Sequence, residues 1–270
     1  MALVLGALSG CGSDAPLQST PLTPSVESIT AGQIMYSRPS QFTVKGVALT
    51  GTVVKASGAC SRVTEVTGGT ATVRQFTCTP SAAGDVTISV ASGGTVLQQS
   101  AFAVPTPQVT LTTDAGAVVV ELDPVHAPKS VNNFLLYVWD GFYTNVIFNR
   151  VEVGFVIQGG GYGSDGKAKQ ASHPTLELEP FADTQLSNTV GTIAMARTDA
   201  LNSATSQFFF NLVDNIRLDT QAGGYAVFGK VLSGMDVVST IGANAVYYKG
   251  LSTDNSYTTC NVLKSAVQTK

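Results

Sequence analysis

The sequence predicts a mainly β protein in two parts, and three observations carry that reading. Between Ile29 and Val104, apolar and polar residues alternate in short runs broken by Gly- and Pro-containing turns. Beyond Gln108, a hairpin pattern leads into an amphipathic helix and then a series of short apolar runs. The composition agrees: of 270 residues, 44% are hydrophobic and 12% charged, with 27 glycines available for turns. A chain of this length can bury a core in each of two units. The formal net charge is −3 and no run of Lys or Arg occurs, which argues against a nucleic-acid partner.

The first stretch, residues 1–11, is an apolar run ending in small residues and reads as a signal peptide. Leu8-Ser9-Gly10-Cys11 resembles the bacterial lipobox, whose cysteine is lipidated, although no Lys or Arg precedes the run. The expectation is an exported lipoprotein held to a bacterial membrane through Cys11, facing the periplasm or the cell exterior. Residues 12–28, rich in Ser, Thr and Pro, are expected to form a flexible tether. No segment is long and apolar enough to span a bilayer as a helix.

Residues 29–104 are expected to fold as a small β-sandwich, immunoglobulin-like in architecture. Phe42-Thr43-Val44, Thr72 to Phe76 and Val86 to Val90 are its clearest strands, and Gly68-Gly69, Pro80-Ser81 and Gly93-Gly94 its clearest turns. Cys60 and Cys78 lie 18 residues apart (78 − 60) in this unit, and export permits them to pair. Closing a loop of that length stabilises by about 3 kcal/mol. Cys260 is left over and reads as a buried free thiol at the start of a strand.

Pro105-Thr106-Pro107 is a stiff junction. The second unit, 108–270, opens with strands around 109–113 and 118–122 joined by a turn at Asp114-Ala115-Gly116. Pro128 suits a first helical turn, and Val131, Phe134, Leu135 and Val138 follow at helical spacing. Gly141 suits the position after that helix. Strands are expected around 146–151, 155–159, 192–196, 208–212 and 226–231, a second helix over Met235 to Ile241, and a closing strand over Asn261 to Gln268.

The stretch from Phe148 to Gly160 places one arginine and one glutamine in an apolar run. Arg150 and Gln158 are an even number of residues apart, so an extended segment puts them on one side. Phe155 falls between them, and Val153-Gly154 is the expected bend. A buried arginine is unfavourable unless it has partners or a task. Two further stretches stand out: Gly191 to Thr198 with Ser203 to Asn211, and Gly224 to Val231. Together the three resemble the cyclophilins, the peptidyl-prolyl cis-trans isomerases, over about Gln108 to Lys270.

That resemblance implies a closed eight-stranded barrel flanked by two helices. It also implies acceleration of X–Pro bond rotation in exported proteins, with proline-containing polypeptide segments as partners and no cofactor. Arg150 is implied as the catalytic cation and Gln158 as the group that holds it. Phe155, Val156, Phe209 and Leu218 are implied to line the proline pocket, with Ala196, Arg197, Gln207 and Tyr225 around the flanking peptide. There are departures: Asn149 replaces a common histidine, Val156 a methionine, and Arg217 stands where drug-sensitive members carry tryptophan. Two other classes are consistent with the chain, a proline-peptide-binding module with little turnover and a surface scaffold. The intact set Arg150, Gln158, Phe155 and Phe209 argues against both.

Other patterns lead elsewhere and are set aside. Gly161 to Ala168 matches both GxGxxG and GxxxxGK, but no helical periodicity follows it and Ala168 lacks a hydroxyl, so no nucleotide is expected. His126 and His173 have no nucleophile motif nearby and make a poor metal set, and no CxxC occurs. Glu177 and Glu179 read as a solvated strand face.

Overall fold

The computed structural model describes residues 22–247 and 260–270. The expected signal peptide at 1–11 and the lipidation of Cys11 lie outside the described residues.

The first unit holds seven strands: β1 (Ser25–Ala31), β2 (Ser40–Val47), β3 (Val53–Gly58), β4 (Thr64–Glu65), β5 (Val73–Cys78), β6 (Gly84–Ser92) and β7 (Thr95–Val104). They form two sheets, in the orders β1-β2-β5-β4 and β3-β6-β7. Alternation decides what lies between them. Phe42 and Val44 of β2, Phe76 of β5, and Val86, Ile88 and Val90 of β6 are buried, with Phe42 edge-on to Phe102 of the facing sheet at 5.5 Å. Cys60 and Cys78 form a disulfide, with Cα atoms 6.4 Å apart, tying the loop after β3 to the end of β5. The expected tether ends sooner than the composition suggests. Ser25 already begins β1, because Val26, Ile29 and Ala31 find the core and the strand pairs with β2.

The second unit is one antiparallel sheet of ten strands. These are β8 (Gln108–Thr113), β9 (Gly116–Leu122), β10 (Val146–Ile147), β11 (Arg150–Glu152), β12 (Val156–Gly159), β13 (Thr192–Met195), β14 (Phe208–Asn211), β15 (Val227–Ser233), β16 (Val246–Tyr247) and β17 (Val262–Gln268). Their order is β10-β17-β8-β9-β15-β13-β14-β12-β11-β16. Only Phe148 and Asn149 separate β10 from β11 in the chain, yet the two stand near opposite ends of that order. The sheet is therefore curled back on itself.

Helix α1 (Pro128–Trp139) starts with proline at its first turn and stops at Gly141, whose φ of +65° admits few other residues. It lays Phe134 into the sheet's concave side, where the ring meets Tyr143, Phe208 and Phe228 at 5.2–5.5 Å. Helix α3 (Met235–Gly242) packs against β9, β11 and β12. Between them, a single turn of helix, α2 (Phe181–Thr184), adds a third helix to the two expected.

Glu177 and Glu179 are not on a strand. Glu179 is buried and accepts the backbone N–H groups of Lys129 and Ser130 at 2.9 and 2.8 Å, and the Ser130 hydroxyl at 2.7 Å. It caps a helix whose own N-cap residue, Ala127, offers no side-chain oxygen. Glu177 stays exposed and pairs with Lys129.

The two units share buried contacts. Gln268 at the end of β17 accepts a hydrogen bond from the Trp139 indole at 2.8 Å and donates to the backbone oxygen of Tyr36 at 3.2 Å. Arg38 lies over the Trp139 ring. Among the described residues, no helix is long and apolar enough to cross a membrane.

Candidate active site

The site is built on the hairpin of β11 and β12. Its register pairs Arg150 with Gln158 and Glu152 with Val156. Gly154, at φ +72°, makes the bend, and the Phe155 N–H closes it on the Glu152 carbonyl at 2.9 Å. The parity reading of Arg150 and Gln158 is thus realised across a hairpin.

Arg150 is not a core arginine. Its side chain is 41% exposed, because the hairpin carries it to the edge of a cavity rather than under the sheet. Its Nη1 donates to Gln158 Oε1 at 3.4 Å, a long contact, and Gln158 Nε2 donates onward to Gln207 Oε1 at 3.1 Å. The other arm, Nη2, donates to Glu152 Oε2 at 2.6 Å.

The cavity has a volume of about 320 Å³. Ten of the residues singled out in the sequence line it: Arg150, Phe155, Val156, Gln158, Ala196, Arg197, Phe209, Arg217, Leu218 and Tyr225. Gln207 does not; it sits behind Gln158. Val156, Ala196, Phe209 and Leu218 form a buried apolar floor, against which Phe155 and Tyr225 pack. Strand β14 explains the floor. Phe208 and Phe210 face the core, so alternation turns Phe209 to the cavity, between Gln158 of β12 and Ala194 of β13. A 3-10 turn at Ile216–Asp219 supplies Arg217 and Leu218.

Three guanidinium groups border this floor. Those of Arg150 and Arg217 lie 5.7 and 4.9 Å from the centre of the Phe155 ring, and that of Arg197 lies 4.6 Å from the centre of the Tyr225 ring. Glu152 also lines the cavity and escaped the sequence reading. The signal was available, since it is two residues from Arg150 and shares its face of an extended strand.

A buried polar network supports the cavity from behind. The Asp219 carboxylate accepts the Asn188 N–H and side-chain amide at 2.8 and 2.9 Å, and the Ser187 hydroxyl. Asn188 donates to the Tyr225 carbonyl and accepts from Asn211, while Asn215 donates to Asn211 Oδ1 and to the Phe155 carbonyl. The backbones that carry Phe155 and Tyr225 are thereby fixed to one another. Asn188 and Asn215 lie in loops, Asn211 ends β14 and Asp219 ends the 3-10 turn, and nothing in their spacing marks them.

A larger cavity, about 440 Å³, opens where Ala83 and Thr106 approach β9 and β15. It shares no lining residue with the first. Its polar lining pairs internally, the Asp123 carboxylate with the His126 ring at 2.8 Å and Glu121 with Lys230 at 3.9 Å. The glycine-rich loop at 161–168 closes on itself through Gly163 N–H to Lys167 O, and no helix follows it to receive a phosphate. His126 and His173 pair with separate aspartates, and the described residues hold no group of three His, Cys, Asp or Glu placed to bind a metal.

Comparison with known proteins fixes the class. Residues 108–264 match the family described as cyclophilin type peptidyl-prolyl cis-trans isomerase/CLD, and the chain belongs to that family. Its activity is the cis-trans isomerisation of peptidyl-prolyl bonds. Among relatives, peptidyl-prolyl cis-trans isomerase A of Dickeya dadantii is 50% identical over 154 residues, covering 54% of this chain and 80% of that one. Peptidyl-prolyl cis-trans isomerase B of Escherichia coli is 45% identical over 151 residues, covering 54% and 90%. Among solved structures, a cyclophilin-type isomerase of Cryptosporidium parvum, crystallised in the presence of the dipeptide Ala-Pro, aligns with a TM-score of 0.50. It is 26% identical and covers 60% of this chain and 99% of that one.

Proposed function

We propose that Arg150 is the catalytic residue, acting on a proline held over the floor of Val156, Phe209 and Leu218. Rotating an X–Pro bond breaks amide resonance, a barrier of about 18–20 kcal/mol. No covalent bond need form and no proton need move. In the twisted amide the proline nitrogen regains its lone pair and accepts a hydrogen bond, so a cationic donor aimed there stabilises the transition state selectively. Bringing tens of seconds down to milliseconds takes roughly 5–7 kcal/mol off the barrier.

The observation that carries this reading is the cross-strand pairing of Arg150 with Gln158 beside an apolar floor. Gln158 steadies the guanidinium and is itself steadied by Gln207. Phe155 walls the proline ring, and Ala196, Arg197 and Tyr225 border the flanking backbone. Arg150→Ala tests it: turnover of an Ala-Pro peptide should fall by two to three orders of magnitude while the melting temperature holds. Wild-type turnover in that variant overturns the assignment.

The curled sheet is read as the family's closed eight-stranded barrel and the first unit as an immunoglobulin-like sandwich, giving units at 25–104, where β1 moves the expected start forward from 29, and 108–270, joined by 105–107. The clients are exported proteins, and the chain is anchored to a bacterial membrane by lipid on Cys11. The disulfide between Cys60 and Cys78 supports export, since such bonds persist in oxidising compartments. Cys11→Ala should move the protein from the membrane to the soluble fraction, and an unchanged distribution refutes the anchor.

A further inference from the structure

The charge around the cavity points to the kind of proline segment it takes. Arg150, Arg197, Arg217 and Glu152 line it, three guanidinium groups against one carboxylate. The protein as a whole carries a net charge of −3, so this excess is local.

The three arginines are not equivalent. Arg150 is paired with Glu152. Arg197 is charged but largely committed: its Nε and both Nη atoms donate to the carbonyls of Gly224, Thr198 and Ala222. It contributes field more than free donors. Arg217 is exposed, and among the described residues it has no carboxylate within ion-pair distance. What holds it is the Phe155 ring, 4.9 Å away. The nearest acid in sequence, Asp219, is turned inward and satisfied by Ser187 and Asn188. Arg217 thus stands at the rim with its donors open, over the aromatic ring assigned to the proline. A guanidinium in that position can meet a carboxylate on a neighbouring residue of the bound peptide with both of its arms.

We infer that the site prefers proline segments carrying an acidic side chain next to the proline, and that Arg217 is the residue that selects them. The inference rests on the isomerase site proposed above. It adds to that site a substrate class, aspartate- or glutamate-flanked prolines, and disfavours lysine- or arginine-flanked ones. At a rim open to water, an ion pair of this kind is modest, so the expected preference is about two- to fivefold in kcat/KM.

The test uses the full-length protein and three peptides that differ only in the residue flanking proline, aspartate, alanine or lysine, with each flank tried in turn. The wild type should rank aspartate above alanine above lysine on at least one side. The aspartate-to-lysine ratio should fall toward one in 1 M salt, where charges are screened beyond roughly 3 Å. Arg217→Gln should bring the ratio close to one at low salt, and Arg217→Glu should invert it. A role for Arg217 in packing alone would shift all three peptides together and leave the ratio alone. If the alanine peptide turns over but the wild-type ratio is one, or if the ratio survives Arg217→Gln, the inference is wrong and the isomerase site stands. If no peptide turns over, the site reading fails and the inference with it.

Discussion

Glu152 accepts a 2.6 Å hydrogen bond from Nη2 of Arg150, two residues away on the same strand face. The arginine assigned to the twisted amide is therefore held by a carboxylate in the resting site. A half-exposed pair of this kind contributes about 0.5–1 kcal/mol. Part of that must be given up when the guanidinium turns to a substrate nitrogen. Glu152→Gln is expected to raise kcat on a neutral Ala-Pro peptide about two- to fivefold. A fall in kcat, measured under the same conditions, would mean that Glu152 orients Arg150 rather than restrains it.

Glu179 is expected to matter for stability and not for chemistry. It satisfies two N–H groups and a hydroxyl at the start of α1. Glu179→Ala strands those donors in a buried place, a loss of about 2 kcal/mol. Denaturant unfolding should show that drop, with turnover of the remaining folded protein unchanged. A variant as stable as wild type would show that water replaces the carboxylate there.

The contact of Gln268 with Trp139 and Tyr36 makes a further claim. Gln268→Ala removes the partner of a Trp indole and of a backbone carbonyl in the other unit. Wild type should melt as one transition in calorimetry, and the variant should separate the sandwich from the larger sheet as two. A single unshifted transition in the variant would show that the remaining apolar contacts suffice to couple them.

Cys260 gives the pH dependence. Burial pushes its thiol from an ordinary value of 9.0 up to about 11. A raised value means that the folded state holds the proton more tightly. Its contribution to stability is complete below about pH 9 and is lost as pH rises toward about 11. At pH 8, iodoacetamide should leave Cys260 unmodified in the native protein and alkylate it in urea, as read by mass spectrometry of the digest. Rapid native alkylation at pH 8 would contradict the burial.

Much of this was legible in the sequence because it is local. Val131, Phe134, Leu135 and Val138, bracketed by Pro128 and Gly141, define α1 without help from the rest of the chain. Parity put Arg150 on the same side as Gln158, and the family resemblance singled out Phe209, which the structure turns to the cavity while Phe208 and Phe210 face the core. What stayed hidden depends on residues distant in the chain. Glu179 caps a helix some fifty positions earlier. Asp219 is satisfied by Asn188, and Gln268 reaches across to Tyr36. A polar residue in a loop looks the same in sequence whether it meets water or a buried amide. Composition misled in one place: Ser25 to Ser28 resembles tether, yet Val26 and Ile29 are enough to make it strand once β2 is present.

Strand β17 lies between β10 and β8 and is hydrogen-bonded to both. On the ribosome, β8 emerges first, β10 next, and β17 only after every other strand of the sheet. Throughout that interval the two flanking strands expose open backbone edges, and the curled sheet is incomplete. Folding of this unit therefore ends with the insertion of β17 between two strands that lie far earlier in the chain.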